Sequence, residues 1–273
     1  MKQVKASIFL GEIPTDGHSP MKFVCSDNNV YYCKYRVNYK LEELDCLIYE
    51  VVCHNLLKSL GIPTPDIALV ELLEGTFSSK DLVKNKRFAK PGIICFGSKE
   101  IKYANLVTGL ELVNNPESLN VINNPYDLIK IAVFDLWINN ADRGRNENYN
   151  LLTSSQDNKL KIWAFDHAFA FGGINELRIF NNQNKPNISD KLINTFYFKS
   201  LVSQLDLPSC LQVIESFVNN FHQLEQDILL AFEQVPLDWK VFPGLQPKIE
   251  SFLLDSHRIE LVRESALSQL QKL

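Results

Sequence analysis

The sequence predicts an α+β protein in which a small layer of strands and one helix precedes a larger, mainly helical portion. Three observations carry this expectation. Short apolar runs separated by turn-forming residues fill the first third of the chain. A helical pattern interrupts them once, between Lys40 and Leu60, and beyond Phe96-Gly97-Ser98 most apolar residues recur at three and four residue steps. At 273 residues the chain is long enough for one large or two modest domains. The change of pattern places a boundary near residues 95 to 104, giving units 1–98 and 99–273.

Strands are expected at Ser7–Leu10, Met21–Cys25 and Val30–Val37, the last two joined by the turn cluster Ser26-Asp27-Asn28-Asn29. From Lys40, the spacing of Leu44, Leu47, Ile48, Val51, Val52 and Leu56 gives an amphipathic helix, stopped by Leu60-Gly61 and by prolines at 63 and 65. A strand over Ile67–Leu73 follows. The next clear helix is Tyr126–Asn139, where Leu128, Ile131, Ala132 and Leu136 share a face with Asp135. A carboxylate on that face is expected to be buried and satisfied by backbone donors or by an arginine such as Arg143. Further amphipathic helices are expected over 189–205, 208–234 and 246–272, with breaks at Val235-Pro236 and Phe242-Pro243-Gly244. Trp137, Trp163 and Trp239 read as packing residues.

Composition removes several classes of function. With 45% hydrophobic and 22% charged residues and no low-complexity tract, the chain is neither disordered nor fibrous. A net charge of -4 offers no general attraction to nucleic acid or anionic lipid, so no direct nucleic-acid partner is expected. Six cysteines without a C-x-x-C pair argue for reduced, buried thiols and against a zinc site. No secretory h-region and no apolar run of spanning length stand out, so the expectation is a cytoplasmic protein with no membrane partner.

The most informative segment is Asn139-Asn140-Ala141-Asp142-Arg143-Gly144-Arg145-Asn146-Glu147-Asn148-Tyr149-Asn150-Leu151-Leu152. Phosphoryl transfer from ATP needs a carboxylate beside the incoming hydroxyl and, a few residues on, an amide oxygen able to hold a metal. Asp142 and Asn148 fit those roles, with Asn146 and Asn150 as alternative amides. Further on, Lys161-Ile162-Trp163-Ala164-Phe165-Asp166-His167 brings a carboxylate out of an apolar β run, as a second metal ligand requires. Plainer readings stand beside each: Asp142 as a turn residue, Lys34 as a solvated strand lysine, Glu50 as a surface charge on its helix, His167 as a core histidine.

These residues resemble the HipA-like kinases, a bacterial branch of the protein-kinase and phosphatidylinositol-kinase superfamily. The likeness lies in Phe134-Asp135-Leu136-Trp137-Ile138-Asn139-Asn140-Ala141-Asp142-Arg143, Asn148-Tyr149-Asn150-Leu151-Leu152 and Ile162-Trp163-Ala164-Phe165-Asp166-His167. It extends to Asp16-Gly17-His18-Ser19-Pro20, similar to the family's phosphate-covering loop, so that Gly17, His18 and Ser19 are expected around the phosphates. Tyr31-Tyr32-Cys33-Lys34 resembles the strand carrying the ATP lysine, and Glu50 resembles the glutamate that holds that lysine. Leu60-Gly61-Ile62-Pro63-Thr64-Pro65 resembles the turn into the next strand.

The resemblance implies a bilobal protein-kinase-like fold that uses ATP and Mg²⁺ and transfers phosphate to a Ser/Thr hydroxyl on a protein. A small-molecule or lipid-headgroup acceptor, a nucleotide-binding pseudokinase, and a toxin-type module with an antitoxin-like partner remain as alternatives. Three departures accompany it. Asp142 and Asn148 stand one residue further apart than the usual kinase spacing, which places a bulge within Gly144–Glu147. The phosphate loop carries one glycine only, Gly17, and Asp166 is followed by His167 in place of a Phe-Gly pair.

Overall fold

A computed structural model describes residues 1–15, 17–108, 121–175 and 180–273. Asp16, at the start of the expected phosphate-covering segment, lies outside the described residues.

Five strands in the first part of the chain close into a barrel: β1 (Lys2–Glu12), β2 (Met21–Cys25), β3 (Val30–Lys34), β4 (Ile67–Glu71) and β5 (Ile94–Lys99), in the order β1-β2-β3-β5-β4. Closure leaves no strand of this sheet with an unpaired edge. The expected turn joins β2 to β3: the Asn28 amide donates to the Cys25 carbonyl at 2.8 Å, with Asn28 in the left-handed region that Asn tolerates. The run predicted over Val30–Val37 stops pairing at Lys34, where the chain turns toward the helix α1 (Glu42–Ser59).

Helix α1 is buried from Glu43 through Cys53 without a break, taking Glu50 with it. The amphipathic reading of this helix therefore needs correction. The α1 surface is covered by the helix α5 (Glu225–Glu233) and by the turns after residue 170 as well as by its neighbours in the first part of the chain.

Beyond Lys99 the structure is not wholly helical. Strands β6 (Ala104–Leu106), β7 (Leu151–Gln156) and β8 (Lys159–Ala164) form a three-stranded antiparallel sheet. Helix α2 (Pro125–Trp137) has Asp135 and its surrounding apolar residues fully buried.

Of the helices expected in the tail, 189–205 is shortened to α3 (Phe196–Val202), 208–234 is split into α4 (Leu207–Val218) and α5, and 246–272 is split into α6 (Leu245–Leu253) and α7 (Ser256–Leu270). Thr195, Asp206 and Asp255 each accept a backbone N–H three residues on, from Phe198, Ser209 and Arg258; Asp206 does so at an expected boundary, whereas Asp255 starts α7 inside the expected 246–272 helix. All six cysteines are buried and none is in a disulfide, as the sequence led us to expect.

Candidate active site

The site is assembled from the end of β3, the middle of α1, the loop after α2 and the residues after β8. Lys34, the last residue of β3, directs its ammonium between two carboxylates: 2.7 Å from Glu50 Oε1 and 2.7 Å from Asp166 Oδ1. Glu50 is held from its other side by the backbone N–H of His167, which donates to Oε2 at 2.8 Å. One carboxylate on α1 thus fixes both the lysine and the segment bearing Asp166.

Burial sets the electrostatics of this triad. Desolvation works against the charged form of Lys34, but the charges of Asp166 and Glu50 outweigh it and hold its pKa above the ordinary lysine value. Burial likewise opposes ionisation of Asp166, yet the Lys34 charge and hydrogen bond prevail and its pKa is lowered. For Glu50 burial wins, and its pKa is raised in spite of Lys34. Asp166 is therefore the more strongly anionic member, and its backbone sits at φ +57°. A non-glycine residue in that region costs about 1–3 kcal/mol, which the surrounding bonds must hold in place.

The loop Asn139–Asn150 is organised around Arg143, which is completely buried. Its Nη1 pairs with Asp135 Oδ1 at 2.7 Å, as the sequence suggested. It also donates from Nε to the Tyr149 carbonyl at 2.9 Å and from Nη2 to the carbonyls of Phe165 at 2.6 Å and Asn150 at 3.3 Å. One guanidinium thereby ties α2, the end of the loop and the segment leading to Asp166 into a single unit. His167, buried and with its pKa well below the usual histidine value through desolvation and then the Arg143 charge, lies against Nη2 at 3.1 Å. Its expected core role holds, with the added part that its amide plays at Glu50.

Asp142 Oδ2 accepts from the side-chain amides of both Asn148, at 3.0 Å, and Asn150, at 2.8 Å. Asn150, which is nearly buried, uses that amide on Asp142, and its carbonyl takes Arg143 and the Phe165 N–H. Strand β7 begins only at Leu151, after Asn150 at φ +44°. The extra residue between Asp142 and Asn148 is taken up in a closed bulge: the Gly144 N–H donates to the Asn148 carbonyl at 2.7 Å, and Asn146, also at positive φ, is exposed at its tip. Gly144 is at φ +102°, and a Cβ there would lie 2.4 Å from the Lys191 carbonyl carbon, so only glycine fits.

The phosphate-loop candidates sit above this arrangement. His18 and Ser19 are buried, and His18 Nε2 has no partner among the described residues. Burial and then the Lys34 charge lower its pKa, an effect that also places it in the electrostatic field of the triad. Gly17 has open space around its Cβ position.

Two residues that sequence reasoning missed hold this loop. Asn85, fully buried, donates from Nδ2 to the Ser19 carbonyl at 2.7 Å, and Lys84 donates to the Thr15 carbonyl. Glu12 in turn accepts the backbone amides of Val83 and Lys84 at 2.6 and 2.9 Å. The signal available was a cluster of polar residues after β4, which looks the same as any surface loop.

The donors around Asp142 and Asp166 are hard oxygens, the type that suits Mg²⁺. Asn148 and Asn150 each give Nδ2 to Asp142, and among the described residues no donor engages their amide oxygens. Among the described residues no three His, Cys, Asp or Glu side chains form a complete metal cage.

A family model described as HipA-like kinase matches residues 17–261. The chain belongs to the HipA-like kinase family. By membership it is a phosphotransferase. A search of curated protein sequences gave no match. Among solved structures, this HipA-like kinase is similar to the Helicobacter pylori proinflammatory kinase CtkA, at 15% identity and a TM-score of 0.54, over 98% of this chain and 97% of that one. A likeness of that kind shows the fold, which is that of a kinase. The Golgi casein kinase with Mn/ADP bound aligns over 98% of this chain and 75% of its own length, at 14% identity and a TM-score of 0.47. No helix among the described residues is long and apolar enough to cross a membrane.

Proposed function

We propose that this chain is an ATP-dependent, Mg²⁺-requiring kinase that phosphorylates a Ser/Thr hydroxyl on a protein. The observation that carries this reading is Lys34 held between Glu50 and Asp166 at 2.7 Å on each side. A lysine fixed by one buried carboxylate, with a second carboxylate alongside, suits a cation placed on the α- and β-phosphates next to a metal ligand.

In this reading the two parts of the chain, 1–98 and 99–273, are the lobes of a bilobal enzyme, and the nucleotide lies between β3 and the loop after α2. Lys34 binds the α- and β-phosphates and Glu50 holds it there. Gly17, His18 and Ser19 cover the phosphates, the unpartnered Nε2 of His18 facing a phosphate oxygen. Asp166 and Asn148 are the residues that hold Mg²⁺, and Asn150 is the alternative amide. When bound, the ion neutralises phosphate charge and aligns the β- and γ-phosphates.

Asp142 orients the acceptor hydroxyl and takes its proton. Its Oδ2 is occupied by two amides, whereas Oδ1 has no partner among the described residues and is free to accept. Asn148 and Asn150 hold the carboxylate in one rotamer, which keeps Oδ1 in place as the hydroxyl arrives.

The test is transfer from γ-labelled ATP with Mg²⁺, offered to the protein itself, to protein extracts and to a metabolite pool. Label should appear in protein. Asp166→Ala should remove Mg²⁺-dependent turnover by about a hundredfold or more without loss of fold, since it deletes a partly exposed ligand and no core volume. Transfer confined to metabolites would refute the protein acceptor, and near wild-type turnover in Asp166→Ala would refute the metal assignment.

A further inference from the structure

A cavity of about 450 Å³ opens where the end of α1, the turn before β4, the connector after β5 and the outer face of β8 meet. None of Lys34, Glu50, Asp142 or Asp166 lines it. Its volume falls in the range of sites that hold sizeable ligands.

Its lining has two characters. The floor is apolar and stiff, made by Ile62, Pro63, Pro65 and Trp163. Trp163 is here because β8 alternates: Ile162 and Ala164 point into the core and Lys161 and Trp163 point out. The reading of Trp163 as simple packing is thus corrected, as it is half-buried and forms a wall of the cavity.

The rim is charged, with lysines at 58, 99 and 161. Two rim carboxylates are already engaged: Asp66 stands 3.6 Å from Lys58, and Glu100 lies 2.6 Å from Lys22. Lys99 and Lys161 have no carboxylate partner among the described residues, and the Lys161 ammonium rests over the Trp163 ring at 4.4 Å. The cavity therefore presents two uncompensated cations above an apolar floor, in a chain whose net charge is -4.

We propose that this groove is a docking site for an acidic, partly apolar, extended segment of a partner protein. Charge complementarity selects anions through Lys99 and Lys161. The proline and tryptophan floor offers rigid apolar surface that a bare anion leaves unused. A nucleic acid fits less well, because two lysines offer few of the many phosphate contacts on which such binding rests, and the apolar floor would face a sugar-phosphate backbone. The occupant lies against the segment that joins β5 to β6, and against the end of the helix that carries Glu50.

Tryptophan fluorescence reads the site directly, since Trp137 and Trp239 are fully buried and Trp163 faces the groove. The probes are a short peptide alternating Glu and Leu, the same peptide with Gln for Glu, tripolyphosphate, and a single-stranded oligoribonucleotide. The Glu peptide should shift Trp163 emission saturably and bind more weakly as salt rises. Lys99→Glu combined with Lys161→Glu should weaken it about tenfold or more, with ATP turnover and melting temperature unchanged. Should that variant fail to fold, Lys99→Gln with Lys161→Gln should show a smaller loss in the same direction. Equal binding of the Gln peptide, tighter binding of tripolyphosphate or RNA, no binding at all, or unchanged affinity in the lysine variants would each overturn the proposal. Binding is measured without nucleotide, so its outcome is separate from whether the chain transfers phosphate.

Discussion

At Arg143 a single buried guanidinium serves one carboxylate and three backbone carbonyls. Removing it would strand the Asp135 charge inside the core and take a donor from each of those carbonyls, the Asn150 carbonyl keeping the Phe165 N–H. Arg143→Met should cost about 3–5 kcal/mol in urea unfolding, and adding Asp135→Asn should restore only part of it because the carbonyls still lack the guanidinium. A loss below about 1 kcal/mol would show that the loop does not depend on it. The Asp135 partnership was legible because a carboxylate on an apolar helix face has to find a cation. The three carbonyls were not, since they belong to segments that only the fold brings together. Glu50 shows the reverse case: its place in the motif pointed to Lys34, while helical periodicity alone would have left it in solvent.

The loop bearing Gly17, His18 and Ser19 is held from outside by the turn that follows Ser78, and most firmly by Asn85. Asn85→Ala and the isosteric Asn85→Asp both lose the donor to the Ser19 carbonyl. Each should raise KM for ATP severalfold while changing kcat less if, as proposed, the loop positions nucleotide and does not touch the acceptor. Equal effects on kcat and KM, or none, would separate the loop from this support. The tail has a comparable task at α2. Arg258 on α7 donates to the carbonyls of Leu136 at 2.9 Å and Trp137 at 2.5 Å, capping the helix end from which the Asp142 loop departs. The existence of α1, α2 and the strands could be read from apolar spacing. The breaks at Val235-Pro236 and Phe242-Pro243-Gly244 could be read as well, but the one before α7 could not, because Asp255 interrupts an apolar period that continues past it.

For the molecule as a whole, one buried and one half-buried histidine, His167 and His54, shape how stability depends on pH. Burial, and then the Lys58 charge, depress His54 to about 4, and His167 lies well below its ordinary value for like reasons. Both folded values are below 6.5, so the unfolded chain binds protons that the folded chain refuses, and stability falls as pH drops from about 6.5 toward 4. Glu50 and Asp135, raised by burial, act in the opposite sense near the acid end of that window. Each histidine contributes up to about 1.4 kcal/mol per pH unit, so His54→Gln should flatten the slope between pH 6 and pH 5 by about that amount. Superimposable profiles would show that His54 is free to charge in the folded state. The claim on which the rest depends is that Asp142 is the group that receives the acceptor proton. Asp142→Asn tests it most directly, since an amide oxygen still accepts from Asn148 and Asn150 and only the base is lost. In a single-turnover experiment with γ-labelled ATP, we expect unchanged nucleotide binding and phosphate transfer slowed by about a hundredfold or more. Transfer within a few-fold of wild type would contradict the account.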